Sequence, residues 1–167
     1  MTGLIGVLLL SLIPILIGEW RRKQILDEGI QSEAMIAFLE HLEFRIRVFN
    51  QSQERIVADF QNQAMEKNGF LPSLREEIQR EPCGALGRTM SHFLEETEFF
   101  PLIGDSLLSF SSSFGMQSRE GQIRDCEQIL SLVKAQEEKG REERMAKANV
   151  SRATGLCAGL GIFILLI

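Results

Sequence analysis

The sequence predicts an all-α protein: an antiparallel helical bundle in the cytosol, flanked by one N-terminal and one C-terminal transmembrane helix. Three observations predict this. All 18 basic and 23 acidic residues lie between Glu19 and Arg152, leaving an uncharged apolar run at each end. The charged middle repeats apolar residues at intervals of three and four, the period of one helix face. No segment alternates apolar and polar residues as a half-buried strand does, and tyrosine is absent.

The first run, "MTGLIGVLLLSLIPILIG", falls a little short of the roughly 20 apolar residues that cross a bilayer core about 30 Å thick. Trp20 extends it into the interface, and Arg21, Arg22 and Lys23 mark its wet end. Pro14 is tolerable in a membrane helix, where neighbours or a local kink satisfy the freed carbonyl. The rival reading is a cleavable signal peptide, but that needs a basic region before the apolar run and a small-x-small site after it. Here the charges follow, and the retained anchor is the better fit.

In the middle, "EAMIAFLEHLEFRIRVF" places Met35, Phe38, Leu39, Leu42, Ile46 and Phe49 on one stripe of an amphipathic helix. Ser52 to about Met65 continues as a second helix with Ile56, Val57 and Phe60 as its apolar contacts. "NGFLPS" breaks the chain, and Ser73 with Glu76 has the form of a capping box opening a short helix. "EPCG" is a second break, before a helix with Met90, Phe93, Leu94 and Thr97 on one side. Phe99, Phe100 and Pro101 form a third boundary. Leu107, Leu108, Phe110 and Phe114 then make an apolar helix stopped at Gly115. Ser118 caps the last helix, whose stripe is Ile123, Cys126, Ile129 with Leu130, and Val133.

Beyond Val133 the stripe gives way to "AQEEKGREERMAK", polar all round, with Glu137 and Arg141, and Glu143 and Lys147, four residues apart in the favourable order. It reads as a stalk carrying the last helix into the membrane. The tail, "ATGLCAGLGIFILLI", has no polar face, so a buried terminal helix would have to be surrounded completely; membrane insertion is the more economical account. Gly155 and Gly159 form a GxxxG pair for helix packing in the membrane. The expected domains are an N-terminal transmembrane helix over 1–20, a cytosolic bundle over 21–135, a charged stalk over 136–149 and a C-terminal transmembrane helix over 150–167. Basic residues flank both spans on the side of the middle, which places the middle in the cytosol and both termini across the membrane.

Composition narrows the function. A net charge of −5 argues against a nucleic-acid binder. Cys83, Cys126 and Cys157 form neither a disulfide framework nor a CxxC knuckle, and suit a reducing compartment. His41 and His92, the two histidines, stand in no HExxH or ExxH spacing. "FSSSFG" offers three hydroxyls without a base placed by sequence, and reads as small residues for close packing and local capping. The adjacent acids Glu76-Glu77 and Glu95-Glu96 diverge by about 100° on a helix and form no carboxylate pair. No catalytic residue, metal ligand, cofactor or small-molecule substrate is expected.

The order of these segments resembles the stage III sporulation protein AB family. "LEFRI" at Leu42 to Ile46 is similar to that family's "LExEI", with Arg45 in place of its second acid. "FSSSFGMQSREGQ" is similar to its "FGxxLGxSDxxxQ", with Phe110, Gly115 and Gln122 on the Phe, second Gly and Gln. Ser111 and Ser118 replace the first Gly and the Asp, and "VFNQSQ" stands for its "YGxTPL" turn. "GLCAGLGIFILLI" is similar to its glycine-spaced terminal span, with Gly155 and Gly159 on the two glycines. The resemblance implies a cytosolic domain similar to that of type II secretion protein F. It also implies a non-enzymatic platform role in a secretion-like channel between mother cell and forespore. The implied partners are a cytosolic secretion ATPase of the same gene cluster and other membrane subunits. Glu40, Glu43, Arg45 and Arg47, which flank the stripe on the helix with the most recognisable motif, are the expected docking surface. The alternative is a membrane-tethered regulatory or sensory module binding a soluble signalling partner, for which one span would suffice.

Overall fold

A computed structural model describes residues 2–49, 51–96 and 103–166, with the side chains of 2–11, 96 and 166 outside the description. The described residues form seven helices and no strand: α1 (Thr2–Phe49), α2 (Gln53–Asp59), α3 (Gln63–Lys67), α4 (Phe70–Arg80), α5 (Ala85–Glu96), α6 (Gly104–Ser113) and α7 (Arg119–Leu166). The all-α class is therefore what the structure shows. The chain divides into two compact units, one of residues up to Gly29 together with those from Glu138 on, the other Ile30–Glu137; α1 and α7 contribute to both.

The second unit is built on the α1 stripe. Met35, Phe38, Leu39, Leu42 and Ile46 are buried, as their three-and-four spacing predicts, whereas Phe49 is about half exposed. Phe38 packs edge-on to Phe60 (centroids 5.3 Å apart) and Phe70 (5.6 Å), and Phe70 continues to Phe93 (5.2 Å). Edge-to-face contact suits aromatic rings because the positive edge of one meets the negative face of the other. This line of rings ties α1 to the α2–α3 link, α4 and α5. Around it α4 packs on α2, α3 and α5, and α5 packs on α6. Gly87 permits the last approach: a Cβ there would lie 2.9 Å from Ser112 Cα. Cys126, Ile129, Leu130 and Val133 of α7 complete the core, and Ile123 packs at its edge.

The helix boundaries differ from the sequence expectation in two places. The single helix expected from Ser52 to Met65 is two, because Phe60 takes an extended conformation and Asn62 starts a new helix, its side chain accepting from the Ala64 and Met65 N–H groups. The break at "NGFLPS" falls earlier than the expected Ser73 capping box. Gly69 adopts φ +87°, Asn68 Oδ1 accepts from Phe70 N–H, and α4 is already helical at Phe70. Ser73 N–H is then an ordinary helical donor, to Gly69 O. Pro72 sits in the first turn, where its missing N–H removes no helical bond. The "EPCG" break is where expected, with Gly84 at φ +73°. Arg88 closes it, donating to the Glu81 and Cys83 carbonyls and to Glu77 Oε2 at 2.7 Å. The Arg88 guanidinium holds the Glu77 carboxyl below its ordinary pKa. Thr97 and the Phe99-Phe100-Pro101 boundary lie outside the described residues. α6 ends at Ser113, slightly before the expected stop, because Phe114 is already extended and leads into Gly115 (φ +85°); Ser118 Oγ accepts from Gly121 N–H at the start of α7.

The first unit pairs the beginning of α1 with the end of α7. A Cβ on Gly155 would lie 2.8 Å from Pro14 O and 3.1 Å from Gly18 Cα, so the two backbones touch. Gly159, one turn on, is buried as well. Ser151 Oγ donates to Gly18 O at 3.2 Å, and Arg152 Nε meets Glu19 Oε1 at 2.9 Å. α1 runs through Pro14 as a helix. α7 is long and apolar enough to cross a membrane, with 17% of its most apolar window buried. Leu156, Leu160, Ile164 and Leu165 face outward, so the tail is not a core helix of this chain. The stretch read as polar all round is less uniform: Glu137 is buried, and Arg144 lies against Gly29.

Candidate functional site

The four residues expected to form a docking surface do not share one face. A helix turns 100° per residue, so Glu40, Glu43 and Arg47 fall on one side and Arg45 on the other. On the first side Glu40 Oε1 meets Lys134 Nζ at 2.6 Å, both half exposed. Glu43 Oε1 meets Arg47 Nη2 at 2.5 Å, and Arg47 reaches across to Glu127 on α7. The hydrogen bond to Glu127, followed by the charge of Glu43, raises the Arg47 pKa above its ordinary value. The row thus alternates charges between α1 and α7, at an exposed surface that a partner can reach.

On the other side Arg45 Nη2 pairs with Asp59 Oδ2 at 3.1 Å, Nη1 donates to Gln51 Oε1 at 3.3 Å, and the guanidinium lies 5.5 Å from the Phe49 centroid. Phe49 packs edge-on to Phe44 at 5.9 Å, and with Val48 they form an apolar cluster, each about half exposed. Sequence reasoning missed this cluster by placing Phe49 on the buried stripe. The signal was present: Phe44 and Val48 are four apart and lie roughly 200° from Leu42 and Ile46 respectively, on the opposite face.

Arg119 was also missed. Its guanidinium donates to the Ile46 and Arg47 carbonyls, satisfying the C-terminal end of α1, where carbonyls lack helical partners. Some seventy residues separate donor and acceptors, and no local pattern announces such a contact.

His41 has a structural employment: Nε2–H donates to Ile56 O at 3.1 Å and the ring lies tilted on Phe60 at 5.0 Å, fastening α2 to α1. The serines of "FSSSFG" bond back to their own helix, Ser111 and Ser112 donating to Leu108 O and Ser113 to Phe110 O. Among the described residues no group of three or more His, Cys, Asp or Glu is placed to hold a metal ion.

Cys126 is fully buried, and burial pushes its thiol up to about 12, with Glu43, Asp125 and Glu127 adding to the shift. At pH 8 only about one molecule in 10⁴ then carries the reactive thiolate. In a Cys157→Ser full chain, an aromatic disulfide reagent is expected to titrate exposed Cys83 at once and Cys126 only after denaturant is added. Equal rates for the two thiols in the folded protein would contradict the burial.

A comparison with protein-family models matches residues 3–167 to the family described as stage III sporulation protein AB. No curated protein and no solved structure matches the chain.

Proposed function

The chain belongs to the stage III sporulation protein AB family, and from that premise we propose that it is a non-enzymatic membrane platform component of a secretion-like channel needed for endospore formation. Its charged helical domain is an antiparallel cytosolic bundle, a counterpart of the cytosolic domain of type II secretion protein F. There it docks a cytosolic secretion ATPase of the same gene cluster, while its two ends span the mother-cell membrane around the forespore and pack against other membrane subunits.

The observation that supports this most is the Glu19–Arg152 pair. These are the first and last charged residues of the sequence, and they meet at 2.9 Å. Both apolar segments therefore leave the charged layer at one level, as two helices crossing one interface would. Beyond it Leu12, Ile13 and Leu16 of α1 and Leu156, Leu160 and Ile164 of α7 are exposed, which in water is costly and in lipid is not. Arg21, Arg22, Lys23 and Lys147 gather on the charged side, which by the positive-inside rule is cytosolic.

Deleting the gene in the native host is expected to stop development after engulfment and abolish heat-resistant spores. The full chain restores them and a chain truncated before Ala153 does not. Normal spore yield removes the role. Docking is tested by the exchange Glu40→Lys with Lys134→Glu, which keeps the ion pair but inverts the charges a partner meets. Loss of ATPase pull-down with an unchanged melt supports this face; an unchanged pull-down moves docking elsewhere.

A further inference from the structure

The first unit holds a groove of about 650 Å³ between the beginning of α1 and the end of α7. Its wall is apolar, with Pro14, Ile17, Val150 and Ala158 among its lining, and two cations, Arg21 and Lys147, stand at the end that lies among the charged residues. Gly18 and Gly155 form the floor, where the helix backbones meet.

From this arrangement we propose that the groove binds an anionic phospholipid, its phosphate between Arg21 and Lys147 and one acyl chain along Ile17, Val150, Pro14 and Ala158. The proposal rests on the membrane reading above and adds a ligand to it. Charge and depth both fit. Seven residues of helix separate Arg21 from Pro14, a rise of about 10 Å, so a headgroup held by the cations places its chain down the apolar wall. Ile17 and Val150 are 51% and 64% exposed, surface that an acyl chain would cover.

The cations are available. Arg21 makes no ion pair or hydrogen bond within the described residues. Among the described residues Lys147 pairs only with Glu143, at 3.5 Å with both side chains about 70% exposed, a loose pair that a phosphate can replace. The nearby acid Glu19 is already shared between Arg22 and Arg152. Basic pockets between membrane helices on the cytosolic side are suited to anionic headgroups for the same reason: fixed cations at the depth of the phosphate, above an apolar slot.

The test uses the full chain in zwitterionic detergent, mixed with equal amounts of dioleoyl phosphatidylglycerol and dioleoyl phosphatidylcholine, with retained lipid read by native mass spectrometry. The anionic lipid is expected to be retained about 25-fold over the zwitterionic one, since each of the two cations beside an anionic headgroup is worth roughly fivefold in affinity. Arg21→Gln with Lys147→Gln abolishes the preference, and Ala158→Leu, which keeps both charges and fills the slot, lowers total retained lipid. Equal retention of the two lipids, an unchanged preference in the double variant, or a dimer that excludes lipid because a second copy fills the groove would each overturn the proposal. Alkaline extraction of native membranes separates it from its premise. A chain released by carbonate fails the membrane reading and the lipid site together; a chain retained but without preference fails the lipid site alone.

Discussion

Phe38→Ala is expected to remove most of the stability of the Ile30–Glu137 unit. Phe38 is fully buried and lies edge-on to both Phe60 and Phe70. Truncating a buried phenylalanine costs about 3–5 kcal/mol through lost transfer energy and the cavity left behind, against a total stability for such domains of roughly 5–15 kcal/mol. Collapse of the site cannot recover much, because its neighbours sit on separate helices and each is packed elsewhere: Phe70 on Phe93, Phe60 on His41. In a unit of this size the melting temperature of the full chain in mild detergent should fall by on the order of 12–20 °C. Phe38→Leu, which keeps most of the volume, should lose considerably less. Phe49→Ala, at a half-exposed ring, is the contrast, with a change within about 0.5 kcal/mol. A melt of Phe38→Ala within a degree or two of the parent would mean that the line of rings is not the centre of the core.

That the same helix contains a fully buried phenylalanine, Phe38, and a half-exposed one, Phe49, shows how far the sequence could be read. Phe38 follows from periodicity, since residues three and four apart share a face and five members of the α1 stripe are buried together. Phe49 continues the spacing but is the last residue of α1, where it packs on Phe44 and Arg45 and stays about half exposed instead of joining the core. The breaks between short helices were legible only in part. Gly84 and Gly115 act through backbone conformations that their residue type favours, and they fall where expected. The break at Phe60 to Asn62 has a local part, the Asn62 cap, and a tertiary part without local signature, the packing of Phe60 on Phe38 and His41. The expected docking residues were legible as a charged fringe, and the 100° helical turn already sets Arg45 apart from the other three, but that one side faces α7 and the other α2 was not legible. That division depends on which helices pack beside α1, and Lys134, Glu127 and Asp59 are distant in sequence. The close approach of Gly155 to Gly18 was half legible: the GxxxG spacing names one side of a contact and leaves the other side open.

Gly155→Leu is therefore expected to open the paired ends of α1 and α7. Even a methyl group at this position would sit 2.8 Å from Pro14 O and 3.1 Å from Gly18 Cα, both backbone atoms, which cannot swing aside as a flexible side chain does. If both segments lie in lipid, as proposed above, no hydrophobic gain drives them together, and association depends on the close backbone packing that small residues permit. Separation would also strain the Ser151–Gly18 hydrogen bond and the Glu19–Arg152 ion pair. Overpacking of this kind costs about 1–3 kcal/mol, enough to shift the pairing equilibrium roughly 5- to 150-fold. The measurement uses full chains with Glu19→Cys and Arg152→Cys, and Cys83 and Cys157 replaced by serine, treated with a short bifunctional thiol reagent. The parent should cross-link the two positions efficiently, and adding Gly155→Leu should lower the yield at least severalfold. Gly161→Leu is the control, since a Cβ at Gly161 meets nothing within 4 Å. It adds the same bulk and hydrophobicity to the same apolar segment at a position whose Cβ meets no atom among the described residues. Equal loss in the two variants would assign the effect to the properties of the segment itself. Loss in Gly155→Leu alone would assign it to the contact with Gly18, so that the close backbone approach, rather than the apolar character of either helix, holds the two ends together.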